Sequence, residues 1–99
     1  MRRAANYDLI ISKKLKTSKA YRKGFLEALM EGEEGLSLEE ALRVTADSMG
    51  IKEFAQLTQE ASSNIVDFLK GRRHPKQSTL DKYLKPFGLK TVLQVIKAA

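Results

Sequence analysis

The spacing of apolar residues predicts a run of short helices separated by capped turns. Tyr7 to Leu15 reads as the first helix, with Leu9, Ile10 and Leu15 facing inward and residues 1–6 as a frayed start. Thr17 or Ser18 can cap a second helix, in which Tyr21, Phe25, Leu26 and Leu29 recur at helical spacing up to about Glu31. Gly32 stops it, and Gly32 to Gly35 form an acidic loop. Ser37-Leu38-Glu39-Glu40 is a capping box: the serine hydroxyl meets the N3 backbone N–H, and Glu40 reaches back to the cap. Leu38, Leu42, Thr45, Ala46 and Met49 then line one side of a third helix, which Gly50 closes.

The next stretch, Ile51 to Gly71, predicts two short helices joined by a tight turn near Thr58 to Ser62. Phe54, Ala55 and Leu57 belong to the first of them. Ala55 is small enough for the two helices to cross closely, as a helix-turn-helix requires. Ser62 or Ser63 can cap the second helix. Ile65, Phe68 and Leu69 give that helix one apolar stripe, and Ser63, Asn64, Asp67 and Lys70 occupy its other side. Gly71 stands where a left-handed residue ends a helix. Two ordinary core helices with a polar surface would show the same spacing.

A basic loop follows, Arg72-Arg73-His74-Pro75-Lys76. A sixth helix starts near Ser78 or Thr79 and runs toward Phe87, with Leu80, Tyr83, Leu84 and Phe87 inward. Pro86 shortens or kinks its last turn, and Gly88 stops it. The tail, Leu89 to Ile96, fits two readings. Thr91, Val92, Val95 and Ile96 are β-branched and favour a strand, the reading preferred here; positions 89, 92, 93 and 96 also fit a helical stripe. A lone strand needs a partner, and a second copy of the chain is the natural one.

Ninety-nine residues bound the picture to one domain, residues 1–99, with N-terminal helices over 7–31, a helical core over 37–88 and the tail over 89–96. Charged residues make up 30% of the chain, and apolar runs are too short to span a bilayer. No secretory signal is visible, and there is no cysteine, which fits a cytoplasmic protein and excludes disulfide and thiolate chemistry.

The net charge of +6 is unevenly distributed. Residues 1–23 hold eight Lys/Arg against one acid, residues 24–61 two against nine, and residues 62–99 eight against two. Such segregation suggests one face for nucleic acid and another for a different partner. Solvated helix faces that differ in sign are the plain alternative.

Enzymatic chemistry finds little to use. His74 is the single histidine, so no cluster of nitrogen and sulfur ligands can form, and neither a metal nor a cofactor is expected. No phosphate-binding glycine loop appears. A ribonuclease built on His74, Arg72 and Arg73 is the nearest enzymatic reading, and the expectation is a protein that is not an enzyme. DNA binding uses what is present. Ser62 and Ser63 can offer hydroxyls and backbone N–H groups to a phosphate. Asn64 has the paired donor and acceptor that match an adenine edge. Lys70 can reach a guanine or a phosphate, and Arg72, Arg73, His74 and Lys76 can hold the backbone beyond the helix. Asp67 would repel phosphate unless it accepts from a cytosine or pairs with an arginine; the second is preferred.

The ordered set Phe54-Ala55, Ile65, Phe68-Leu69, Gly71, Pro75, Ser78-Thr79-Leu80, Leu84 and Phe87-Gly88-Leu89 resembles the phage-repressor-like (Xre) helix-turn-helix family. The two N-terminal helices, opening at Tyr7-Asp8 and Lys19-Ala20-Tyr21, and the helix around Leu36-Ser37-Leu38 and Ala41-Leu42 resemble its HigA-like antitoxin branch. The resemblance spans roughly residues 7–96. It implies an all-α domain of five to six short helices with a lambda-repressor-like helix-turn-helix and often a short C-terminal strand. It further implies a homodimer that binds a palindromic operator, represses its own operon and neutralises a partner toxin, commonly RelE-like and basic, which the acidic segment 27–40 could face. Carried over by position, the DNA-facing residues are Ser62, Ser63, Asn64, Asp67 and Lys70, with Arg72, Arg73 and Lys76 on phosphates. Two departures stand out. The family usually has glycine then an apolar residue in the turn, where this chain has Gln59 and Glu60; a non-glycine in a left-handed turn costs on the order of 1 kcal/mol. The recognition helix also lacks the arginine often found at its start.

Overall fold

A computed structural model describes residues 4–93, 95, 97 and 98. Six α-helices appear in the order α1 (Ala4–Thr17), α2 (Lys19–Met30), α3 (Leu38–Met49), α4 (Ile51–Thr58), α5 (Ser62–Leu69) and α6 (Gln77–Leu84), and a short 3₁₀ helix, Lys85–Phe87, extends the last. The all-α class expected from the spacing is therefore what the chain adopts, and the described residues include no strand. Residues 89–93 and 95 form neither the strand nor the helix considered for the tail; residues 94 and 96 lie outside the described set.

Local chemistry explains most boundaries. Ser18 caps α2 by accepting from the Tyr21 N–H at 3.1 Å. Ser37 and Glu40 complete the capping box at the start of α3, the hydroxyl accepting from the Glu40 N–H and the carboxylate from the Ser37 N–H. Pro86 has no N–H to continue an α-helix, and the chain tightens there into the 3₁₀ turn before Gly88.

The core gathers one side of every helix. Leu15, Leu26, Leu42, Met49, Phe54, Ile65, Phe68, Tyr83 and Phe87 are all buried. Tyr83 stands at its centre between two phenyl rings. It meets Phe54 edge-on at 5.7 Å between centroids and Phe68 at 5.3 Å, a geometry that adds to the area term by about 1 kcal/mol per pair. Its hydroxyl is buried without a hydrogen-bond partner among the described residues. Burial pushes the phenol pKa up, the nearby Glu60 carboxylate adds to that rise, and the Arg73 guanidinium opposes it.

Two expectations about inward-facing positions are corrected. Leu9 and Ile10 are 67% and 54% exposed, whereas Ile11 packs on the core along with buried Leu15. In a run of three apolar residues the helix can rotate by one position, about 100°. Here the choice goes to the side on which Ser12 donates to the Met49 carbonyl at 2.8 Å, satisfying the end of α3. The first helix also begins at Ala4 instead of Tyr7 and runs on to Thr17.

Arg22 is buried as well. By sequence it belongs to the basic N-terminal segment, but only 7% of it is exposed. Its Nη1 donates to the Leu15 and Lys16 carbonyls at 2.8 and 3.1 Å, and its Nε and Nη2 donate to the Pro86 carbonyl at 3.1 and 2.9 Å. One guanidinium thus closes the end of α1 and ties it to the 3₁₀ turn. Burial lowers its pKa from the ordinary arginine value, yet a guanidinium stays charged throughout the working pH range.

Candidate nucleic-acid interface

Helices α4 and α5 are joined by three residues, Gln59 to Ala61. The turn opens with Gln59 in the left-handed region, at φ 59° and ψ 41°. Around it the Glu60 N–H donates to the Ala55 carbonyl at 2.9 Å and the Gln59 N–H to the Gln56 carbonyl at 3.3 Å. This is a Schellman closure. The same pair of bonds recurs at Gly71, from Arg72 to Asp67 and from Gly71 to Phe68, and at Gly88, from Leu89 to Leu84 and from Gly88 to Lys85. Two of the three left-handed positions are glycine; Gln59 takes the conformation despite its Cβ. Ala55, 4% exposed, sits in the helix pair where close crossing calls for a small residue.

The turn fixes where α5 starts, and corrects the expected cap. Ala61 is the N-cap, extended at φ −67° and ψ 140°, and has no side chain able to accept a hydrogen bond. Ser62 and Ser63 are instead the first helical residues. Both are exposed, with hydroxyls and backbone N–H groups at the positive end of the helix. Asn64 and Asp67 are half-buried and Lys70 is exposed. The opposite side of α5 is buried through Ile65 and Phe68.

Beyond α5, each of three consecutive loop side chains meets an acceptor on the helices. Arg72 Nη1 donates to Asp67 Oδ1 at 3.1 Å, Arg73 Nη2 to Asn64 Oδ1 at 3.2 Å, and His74 Nδ1 lies 3.2 Å from Glu39 Oε1. The preferred pairing of Asp67 with an arginine is thus present. The Arg72 side chain remains 62% exposed, and Lys76 is exposed as the N-cap of α6. Surface pairs of this kind contribute at most about 1 kcal/mol; their effect is to hold the cations beside α5.

Two positioning residues escape the sequence reading. Arg43 Nε donates to the Phe68 carbonyl at 2.8 Å and its guanidinium lies over the Phe68 ring, 5.0 Å from the centroid. Its Nη2 also donates to Glu39 Oε1 at 3.0 Å, the same oxygen that meets His74. Arg43 therefore anchors the end of α5 to α3, and Glu39 anchors the loop to both. The four-residue spacing of Glu39 and Arg43 is a visible signal for the pair, but nothing local points to Phe68. Away from this face, Glu27, Glu31, Glu33 and Glu34 are exposed at the end of α2 and in the following loop.

Among the described residues no group of three or more His, Cys, Asp or Glu could hold a metal ion, and no helix is long and apolar enough to cross a membrane. The chain is thus an all-α domain of six short helices with a polar, cation-flanked helix side. In comparisons with known proteins, no family model matched the chain, no curated protein matched it and no solved structure matched it.

Proposed function

We propose that α4 and α5 form a helix-turn-helix of the lambda-repressor-like kind, that α5 enters the major groove of double-stranded DNA, and that the protein is a sequence-specific repressor acting as the antitoxin of a toxin–antitoxin module. The observation that carries the DNA part is the arrangement of α5: one side holds Ile65 and Phe68 in the core, the other offers Ser62, Ser63, Asn64 and Lys70 to solvent, and Arg72, Arg73 and Lys76 stand alongside. Hydroxyls and free N–H groups at a helix start hold a phosphate, and exposed cations hold its neighbours. The antitoxin part rests on the resemblance of the whole helix order to the HigA-like branch. A basic toxin would find the exposed acids around Glu31 to Glu34 complementary. Homodimerisation on a palindromic operator belongs to the same reading, and the exposed Val92, Leu93 and Val95 of the tail give a second copy apolar surface to cover.

The DNA reading is tested by titrating the wild-type protein and an Arg72→Ala/Arg73→Ala variant against duplex DNA over a range of salt. The variant is expected to bind every sequence more weakly, and the slope of log affinity against log salt falls by about one for each phosphate that is no longer neutralised. Equal binding and equal slopes would overturn it. Co-purification with a small basic protein encoded beside this chain tests the antitoxin role; the absence of such a neighbour, or one that is not retained, points to a plain repressor.

A further inference from the structure

Independently of the DNA-binding reading, we propose that a cationic cleft beside the α4–α5 turn, where the start of α2 meets the end of α6, is a binding site for a phosphate group.

The cleft holds about 480 Å³, and its walls include Lys19, Arg22, Gln59, Lys82 and Lys85; none of its described lining residues is acidic. Lys19 reaches across it from the first turn of α2, which carries no acid either. A Cβ on Gly88 would lie 2.8 Å from Lys19 Cε, so glycine at that position leaves room for the lysine to cross. Lys82 Nζ lies 3.6 Å from Glu60 Oε1, whereas among the described residues Lys19, Arg22 and Lys85 have no carboxylate at ion-pair distance. Four cations against one neighbouring acid leave positive charge in excess, and a concave low-dielectric wall concentrates its field.

Arg22 makes the cleft more than a patch of surface lysines. It is only 7% exposed, and its hydrogen bonds all end on carbonyl oxygens. A carbonyl satisfies an N–H but does not cancel a charge, and buried charges are normally paired. This one lines an opening whose other charged walls are cationic too. An anion seated there relieves their repulsion and supplies the counter-charge that Arg22 lacks. Ammonium and amide donors arrive from α2, from the turn and from the end of α6. That suits a compact anion with oxygens directed several ways, as a phosphate has, better than the two coplanar oxygens of a carboxylate. The volume exceeds what one phosphate fills and lies in the range of small-molecule sites; Leu57 and Pro86 give the rest of a ligand an apolar wall.

The site also gives Gln59 a role. Its backbone is left-handed, where glycine costs less, yet its side chain lines the cleft with an amide donor. Strain of this kind persists where the residue is used.

The test is an NMR titration of the isotope-labelled full chain with sodium pyrophosphate at constant ionic strength, with sodium acetate as the control. Pyrophosphate is expected to shift the amides around Lys19, Gln59 and Lys85 saturably, with half-saturation below about 1 mM. Lys19→Gln/Lys85→Gln weakens binding by at least about tenfold, and Gln59→Gly by about threefold, the worth of charge-assisted and single hydrogen bonds respectively. Arg22 is left intact because it also holds the ends of α1 and the 3₁₀ turn, and circular dichroism confirms that each variant is folded. Arg72→Ala/Arg73→Ala leaves pyrophosphate binding unchanged, which separates this site from the proposed DNA face. Shifts that do not saturate, that centre on the Arg72–Lys76 loop, that survive Lys19→Gln/Lys85→Gln, or that acetate reproduces at equal concentration overturn the inference. Adding a short duplex identifies the source of the phosphate: displacement of pyrophosphate means that the cleft takes the nucleic-acid backbone, and its retention means a free phosphorylated compound.

Discussion

Arg22 and the Arg72–Arg73 pair put one residue type to two different uses. Arg22 is buried against three backbone carbonyls at the ends of α1 and the 3₁₀ turn, with no carboxylate among its hydrogen-bond partners. Arg72 and Arg73 are exposed and each spends one N–H on a side chain of α5. Burying a guanidinium costs several kcal/mol of lost hydration, and carbonyls offset it only when the geometry uses most of its donors. Arg22 meets that condition and becomes part of the frame. At the surface the cost does not arise, and donors remain for another molecule. The number of cations in a segment therefore says little about its partners until one knows which cations face water.

Substitution can separate frame from face. Arg22→Met is expected to have the largest effect, a loss of about 3 kcal/mol, because it leaves the Leu15, Lys16 and Pro86 carbonyls without this donor. Urea denaturation measures the loss. The fraction still folded at low denaturant keeps the salt dependence of DNA binding, whereas the Arg72→Ala/Arg73→Ala protein shows a salt slope shallower by about one per lost phosphate contact and keeps its denaturation midpoint. A protein in which both quantities move together for either change would break the distinction.

Gln59 lies where frame and face join. Gln59→Gly removes the cost of a Cβ in the left-handed region, and a gain of about 0.5–1 kcal/mol in thermal or urea unfolding is expected after the greater freedom of glycine in the unfolded chain is subtracted. No gain would mean that the Gln59 side chain contributes as much as the backbone strain costs.

The smallest effect concerns the start of the tail. The Thr91 backbone N–H and hydroxyl both donate to Asp81 Oδ1, at 2.6 and 2.7 Å. The backbone bond, then the hydroxyl, hold the Asp81 carboxyl below its ordinary value of 3.8; partial burial opposes them and Lys90 assists. For a carboxyl whose folded pKa is depressed, the tether is fully formed above the ordinary value and is lost as pH falls through the lower, folded one. The Thr91 amide resonance is expected to hold its position down to pH 3.8 and to move only below it, with no accompanying change in the core. Movement at higher pH would contradict the tether.

Such local signals are the ones legible in the sequence. The capping box at Ser37, the stop at Gly50 and the stripe through Leu42, Thr45, Ala46 and Met49 need only neighbours in the chain to be satisfied. The left-handed cost assigned to Gln59 is legible for the same reason. What fails depends on partners far along the chain. Serine outranks alanine as a cap, yet α5 starts after Ala61 because the Schellman closure of α4 has already set the backbone there. Arg22 shares the inner stripe with Phe25, Leu26 and Leu29, so its spacing marks it as inward, but only the Pro86 carbonyl shows why a charge is tolerated. Of the candidate site, the residues stand together as expected on α5 and the loop; the bond between Arg73 and Asn64 has no sequence signal, since side chains nine positions apart need a reversing chain to meet.

The clasp also has a consequence for how the chain is made. Pro86 follows Arg22 by 64 positions, so the acceptor for two of its donors leaves the ribosome long after α1 and α2 have done so. Until then the nascent pair of helices carries a cation only half supplied with partners, and water must keep company with it. Rigid packing of α1 and α2 therefore waits until the segment around Pro86 has emerged and folded back onto them.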